Sequence, residues 1–148
     1  MTTSLLFDTS VLIPLINTGR HEHLFRRAVR SGRALLCSVV LQELYAGTAD
    51  LASKRDLDRL NQSFAVAGAI VTPEHDDWTA AGVILARFGR LRGRVAPKDH
   101  LADVLITLCA ARRSAILVTE NVRDMARWAG FIGSSRRRPR VGAPDEIA

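Results

Sequence analysis

The sequence predicts a three-layer α/β/α sandwich around a central parallel sheet, and three observations carry that expectation. The strand-like segments are short and apolar throughout rather than alternating, as strands covered on both faces are. They alternate with helical stretches along the chain, the order that yields a parallel sheet. The 148 residues, 47% apolar and 24% charged, suffice for one packed core. No internal repeat and no dividing linker is visible, so residues 1–148 are expected to form one domain with a basic tail from about residue 134.

Ser4-Leu5-Leu6-Phe7 is an apolar run that stops at Asp8 and reads as a buried strand. A helix through Val11, Leu12, Ile13 and Leu15 follows, with Pro14 either in its first turn or kinking it. His21 to Arg30 is a second helix, with Gly32 just past its end. Arg33 to Cys37 reads as a strand, Ser38 as the cap of a helix from Val39 to Ala46, and Ser53 to Ala67 as a longer amphipathic helix. Ala69 to Val71 is a third strand. Glu74 to Leu91 carries Trp78, Ala81, Ile84, Leu85 and Phe88 at helical intervals. Gly89 to Lys98, basic and glycine-bearing, reads as a loop. A strongly apolar helix from His100 to Arg112 follows, then a strand from Ala115 to Val118 and a short helix after Asn121 bearing Met125 and Trp128. Arg136 to Arg140 is basic, and a fifth strand is placed near Val141.

No apolar run approaches the ~20 residues of a membrane-spanning helix, and MTTSLLFDTS lacks the basic start of a signal peptide. Cys37 and Cys109 sit in apolar stretches, as reduced core thiols do. A cytoplasmic protein without a membrane partner is therefore expected. Net charge is +6, the pI is near 10.6, and Lys54 and Lys98 are the only lysines. An arginine-rich surface of this kind suits polyanions, nucleic acid first among them.

Against that background, the placement of the acids is informative. Asp8 closes the first strand, at the edge where open parallel sheets bind ligands, although it also suits the cap of the following helix. Glu43 has Val39, Val40, Ala46 and Gly47 as its helical neighbours, so its carboxylate lies along an apolar or small face. Asp103 interrupts a helix that is apolar nearly all round and needs a partner there, either a metal or a structural hydrogen bond. Asp99 lies one turn earlier and fits a helix N-cap. Asp124 stands three residues after Asn121, where negative charge also suits a helix start. Acids converging from separate segments repel one another unless cations neutralise them. Carboxylates without His or Cys partners suit Mg²⁺ or Mn²⁺, and such ions assist phosphodiester hydrolysis. Arg90, Arg92 and Arg94, in the loop before the Asp103 helix, are expected to guide an RNA backbone.

Four segments carry a resemblance: Phe7-Asp8-Thr9-Ser10-Val11-Leu12-Ile13, Leu41-Gln42-Glu43-Leu44-Tyr45-Ala46-Gly47, Leu101-Ala102-Asp103-Val104-Leu105-Ile106 and Leu117-Val118-Thr119-Glu120-Asn121-Val122-Arg123-Asp124. In this order, over nearly the whole chain, they resemble the PIN-domain ribonucleases, in particular the VapC-type toxins of toxin–antitoxin pairs. The resemblance implies an α/β/α fold and an Mg²⁺- or Mn²⁺-dependent endoribonuclease in which Asp8, Glu43 and Asp103 are the core acids. It points to Asp124 as the fourth, with Glu120 and Asp99 as alternatives, because many relatives carry an aspartate where Asn121 stands. It also implies a homodimer, a small antitoxin partner that blocks the site, and structured RNA as substrate.

A dehalogenase-like phosphatase needs a second aspartate where Ser10 stands, and a receiver domain needs acids before Asp8 that residues 2–7 lack. The alternative from another class is a catalytically silent PIN-like module that binds RNA or protein. His21, His23, His75 and His100 show no metal-ligand spacing. Trp78 and Trp128 read as core residues on helix faces, and Arg136–Arg138 as a solvated run.

Overall fold

A computed structural model describes residues 2–93 and 96–147. Five strands form one parallel sheet: β1 (Leu5–Phe7), β2 (Ala34–Cys37), β3 (Ile70–Val71), β4 (Ile116–Val118) and β5 (Val141–Gly142), in the order β3-β2-β1-β4-β5. Leu5 pairs with Ala34 on one side and Ile116 on the other, so β1 is central. Every residue of β1, β2 and β4 is buried, as the all-apolar runs require when helices cover both faces. The three-layer expectation holds.

Among the described residues, seven helices connect the strands: α1 (Thr9–Thr18), α2 (Glu22–Arg30), α3 (Ser38–Ala46), α4 (Leu51–Val66), α5 (His75–Arg92), α6 (Pro97–Arg112) and α7 (Val122–Gly130). A 3₁₀ turn, Pro144–Glu146, follows β5. From β1 the chain builds β2 and β3 on one side, then returns to place β4 on the other. Beyond the carboxyl ends of β1 and β4 such a reversal opens a crevice, the place where parallel sheets bind ligands. Val104 to Ala111 of α6 are all buried, which makes this the central helix that its apolar circumference demands.

Several boundaries differ from the sequence reading, each for a local reason. Pro14 lies beyond the first turn of α1, inside the helix. Ser38 belongs to α3 itself, and Cys37 occupies the cap position without a side-chain bond. Asp50 starts α4 earlier than expected by accepting the Ser53 N–H at 2.7 Å. Gly89 does not break α5, which continues to Arg92 and stops at Gly93 with φ of 91°. Arg90 and Arg92 therefore sit on the last helical turn, where cations suit the dipole, and not in a loop; Arg94 lies outside the described residues. Ala96, followed by Pro97, caps α6, and Asp99 falls inside its first turn instead of capping it.

Two sequence-based burial expectations are also corrected. Asp77, with no exposed area, joins Ala81, Ile84, Leu85 and Phe88 on the inner face of α5, and this rotation leaves Trp78 51% exposed. Asp77 can be buried because Arg112 Nε and Arg136 Nη1 donate to its two oxygens at 2.8 and 2.6 Å. Arg136 is thereby pinned to the start of α5 and is not part of a solvated run. Trp128 is buried as expected.

Candidate active site

Asp8 follows β1 directly and is 2% exposed. It caps α1 through a bond from the Thr9 N–H to Oδ1 at 2.8 Å, so the capping role coexists with its place at the strand end. Its Oδ2 accepts the hydroxyls of Ser10 at 2.8 Å and Thr119 at 2.7 Å. These hydroxyls are oriented in turn: the Glu120 N–H donates to Ser10 Oγ and the Asn121 N–H to Thr119 Oγ1, both at 3.0 Å. The ends of β1 and β4 are thus stitched together across the crevice by a network that fixes one carboxylate. A satisfied chain of this kind holds a buried charge in a single orientation.

Glu43, half-buried on α3, accepts the Thr9 hydroxyl at 2.8 Å. Thr9 therefore joins Asp8, through its backbone, to Glu43, through its side chain. Asp103 is half-buried on α6. Burial first, then the charges of Asp8 and Glu43, push its carboxyl up to about 6, with Asp124 adding to the rise and His100 opposing it. These are the acids that the sequence singled out, and they act on one another through space.

The alternatives to Asp124 are placed differently. Glu120 Oε1 lies 3.1 Å from His21 Nε2 and 3.5 Å from Arg20 Nη2, engaged with the α1–α2 turn. Asp99 is exposed on the first turn of α6. Asp124 is exposed on the first turn of α7, with Arg127 Nη2 3.9 Å from its Oδ1. Asn121 starts α7 without a side-chain cap bond.

Ion pairs among the described residues involve other acids; none engages Asp8, Glu43 or Asp103. Nor does any group of three His, Cys, Asp or Glu side chains among the described residues lie close enough together to form a metal site as it stands. The chemistry of the donor set nonetheless suits a hard divalent cation: carboxylate oxygens from three elements, in no ion pair among the described residues, one of them with its pKa raised by burial first and then by the other acids.

The family model described as the PIN domain matches residues 5–130. The chain belongs to the PIN-domain family. This PIN domain is similar in fold to several solved structures. A DNA-bound VapBC from Salmonella typhimurium matches at 22% identity with TM-score 0.64, covering 97% of this chain and 99% of that one. FitAcB from Neisseria gonorrhoeae matches at 18% and 0.66, covering 97% and 99%. VapBC2 from Rickettsia felis, bound to a promoter DNA fragment, matches at 17% and 0.61, covering 94% and 97%. No curated protein matches the sequence. PIN domains are typically nucleases and generally use divalent metal ions.

The sequence reading missed the residues that orient the acids. Ser10, Thr9 and Thr119 have no signal of their own, since short hydroxyl residues at helix starts are common caps. A reader could have found them only by noticing that Asp8 and Thr119 both end strands destined to be neighbours.

Proposed function

We propose that this PIN domain is an Mg²⁺- or Mn²⁺-dependent endoribonuclease of the VapC type, the toxin of a toxin–antitoxin pair acting in the cytoplasm as one nuclease unit. The observation that carries the reading is the set of Asp8, Glu43 and Asp103, drawn from three elements around the β1/β4 crevice and in no ion pair among the described residues. Asp8, Glu43 and Asp103 would hold the metal, with Asp124 as the fourth acid. Asp124 is favoured because its charge reaches Asp103, whereas Glu120 faces His21 and Arg20. Bound there, the cation would supply activation of water and neutralisation of charge at the scissile phosphate. The protein's own part is to hold Asp8 rigidly through Thr9, Ser10 and Thr119, to place Asp103 among acids that favour cation binding, and to offer arginines to the RNA backbone.

A groove of about 690 Å³, lined by Ile13, Ile16, Glu43, Leu44, Leu57 and Leu60 among others, opens beside Glu43. Ile13 and Ile16 are 44% and 51% exposed in it. An apolar segment of an antitoxin seated there would cover the acids, which is the partner we infer from the VapBC likeness. The exposed Trp78 and Val83 on α5 support a homodimer. The exposed Arg90 and Arg92 at the end of α5, with Arg94 beyond them, remain proposed RNA contacts.

Purified protein should cleave single-stranded RNA with Mg²⁺ or Mn²⁺ and stop when EDTA is added; cleavage that persists in excess chelator overturns the metal-dependent reading. Asp124→Asn should lower cleavage by orders of magnitude with little change in melting temperature. If the variant cuts normally while Glu120→Gln or Asp99→Asn is dead, the fourth acid is one of those two.

A further inference from the structure

A histidine and an arginine flank the carboxylates on the side of α6 and α7. His100 stands one turn before Asp103 on α6, and Arg127 stands three residues after Asp124 on α7. These helices pack together, and α5 packs against α6. Under these two side chains lies an aromatic floor. Arg127 Cζ is 4.9 Å from the ring centroids of both Phe88 and Trp128, and the His100 ring is 5.3 Å from Trp128 and 5.8 Å from Phe88.

The guanidinium is held but not satisfied. Arg127 Nε and the neighbouring Trp128 Nε1 are buried atoms without a hydrogen-bond partner among the described residues. Buried donors in folded proteins are nearly always paired, so two orphans on adjacent residues call for an explanation. Asp124 Oδ1, at 3.9 Å, is well beyond the ~2.7–2.9 Å of a charge-assisted hydrogen bond. An arginine stacked on aromatic rings keeps the planar edge that grips phosphate oxygens in a fork, and it loses little freedom when it does so. Arg90 and Arg92, by contrast, are exposed on the last turn of α5.

We propose that Arg127, with His100 beside it, forms a phosphate-binding subsite for the RNA strand adjoining the bond that is cut. The proposal rests on the ribonuclease reading above and deepens it. A polyanion crossing a cluster of four carboxylates is repelled wherever the metal does not reach, and a pre-oriented cation at the rim offsets that repulsion for the next phosphate along the strand. Nothing local marks it in the sequence, because Arg127 is one of many arginines and its aromatic floor comes from two separate helices.

The test is equilibrium binding of a fluorescently labelled single-stranded RNA, followed by anisotropy in EDTA from roughly 50 to 300 mM salt. Arg127→Gln should weaken binding by about tenfold and flatten the slope of log affinity against log salt by about 0.7, one phosphate contact on a single strand. Arg127→Lys should restore the slope but only part of the affinity, since charge returns without the fork. In a Trp78→Phe background Trp128 is the only indole, and its emission should change as RNA saturates the protein. Unchanged affinity and slope in a folded Arg127→Gln overturn the proposal. If that variant does not fold, Arg127→Lys with wild-type affinity, or Trp128 emission indifferent to RNA, overturns it instead. Wild-type protein that binds RNA with these signatures but does not cut it with Mn²⁺ refutes the nuclease reading and leaves the subsite standing; absence of RNA binding sinks both.

Discussion

Asp8 and Asp103 show how two carboxylates in one crevice come to differ. Asp8 is buried among three donors, those of Thr9, Ser10 and Thr119, which compensate its removal from water. Asp103 is raised to about 6 by burial and by its acidic neighbours. The raised value has a definite consequence for stability without metal. The folded state then holds the Asp103 proton more tightly than the unfolded chain, whose carboxyl titrates near the ordinary 3.8. This group therefore favours folding most below about pH 4 and loses that contribution as pH rises through about 6. Asp103→Asn removes the penalty, so in EDTA at pH 8 the variant should melt a few degrees above wild type, with the difference shrinking toward pH 5. Adding Mn²⁺ at pH 8 should raise the melting temperature of wild type more than that of the variant. A variant less stable than wild type at pH 8 in EDTA would show that Asp103 is structurally paired, not electrostatically frustrated.

At the scale of elements, two groups of acids have opposite logic. Asp8, Glu43 and Asp103 enter no ion pair among the described residues, while the ion network around Asp77 sits at the junction of the α5 start, the α6 end and the Arg136 segment. Burial alone would raise the Asp77 carboxyl, but the hydrogen bonds from Arg112, the Glu74 N–H and Arg136 outweigh it and hold the group below its usual value. The stability it contributes is present above the ordinary carboxylate range and fades as pH falls below it. Asp77→Asn leaves Arg112 and Arg136 facing a neutral group, and should cost about 3–5 kcal/mol in urea unfolding, as breaking a buried pair does. A cost under about 1 kcal/mol would place the network in the class of surface pairs. This junction was not legible in the sequence, where Asp76 and Asp77 look like an ordinary helix start, and its partners Arg112 and Arg136 lie 35 and 59 residues away. The strands and most helices were legible, because all-apolar runs and helical spacing are local signals. The same holds for Asp8, Glu43 and Asp103, which stand out as acids in apolar stretches. Arg90 and Arg92 were misplaced because a glycine near a basic run looks like a loop, although a single glycine lowers helix propensity only by about 1 kcal/mol.

For the molecule as a whole, the defining feature is an acidic crevice within a chain of net charge +6. Such a field draws polyanions toward the surface, while the crevice rejects them unless cations intervene, so under the proposed function association and turnover fall to different residues. The distinction gives a test in living cells. Expression of the chain without a partner should slow growth if RNA is being cut. Asp8→Asn preserves the shape of the side chain and one accepting oxygen, so it keeps the bonds to one of the two positions that Thr9, Ser10 and Thr119 now use. It removes the negative charge that would hold the cation. Because one substitution barely alters the overall positive charge, the variant should still bind RNA at low salt, yet growth should recover. The measurement is growth after induction alongside the soluble amount and circular dichroism of each protein. A soluble, folded Asp8→Asn variant that remains as toxic as wild type would mean that toxicity comes from the basic surface sequestering RNA, and the crevice would lose its claim to be the seat of function.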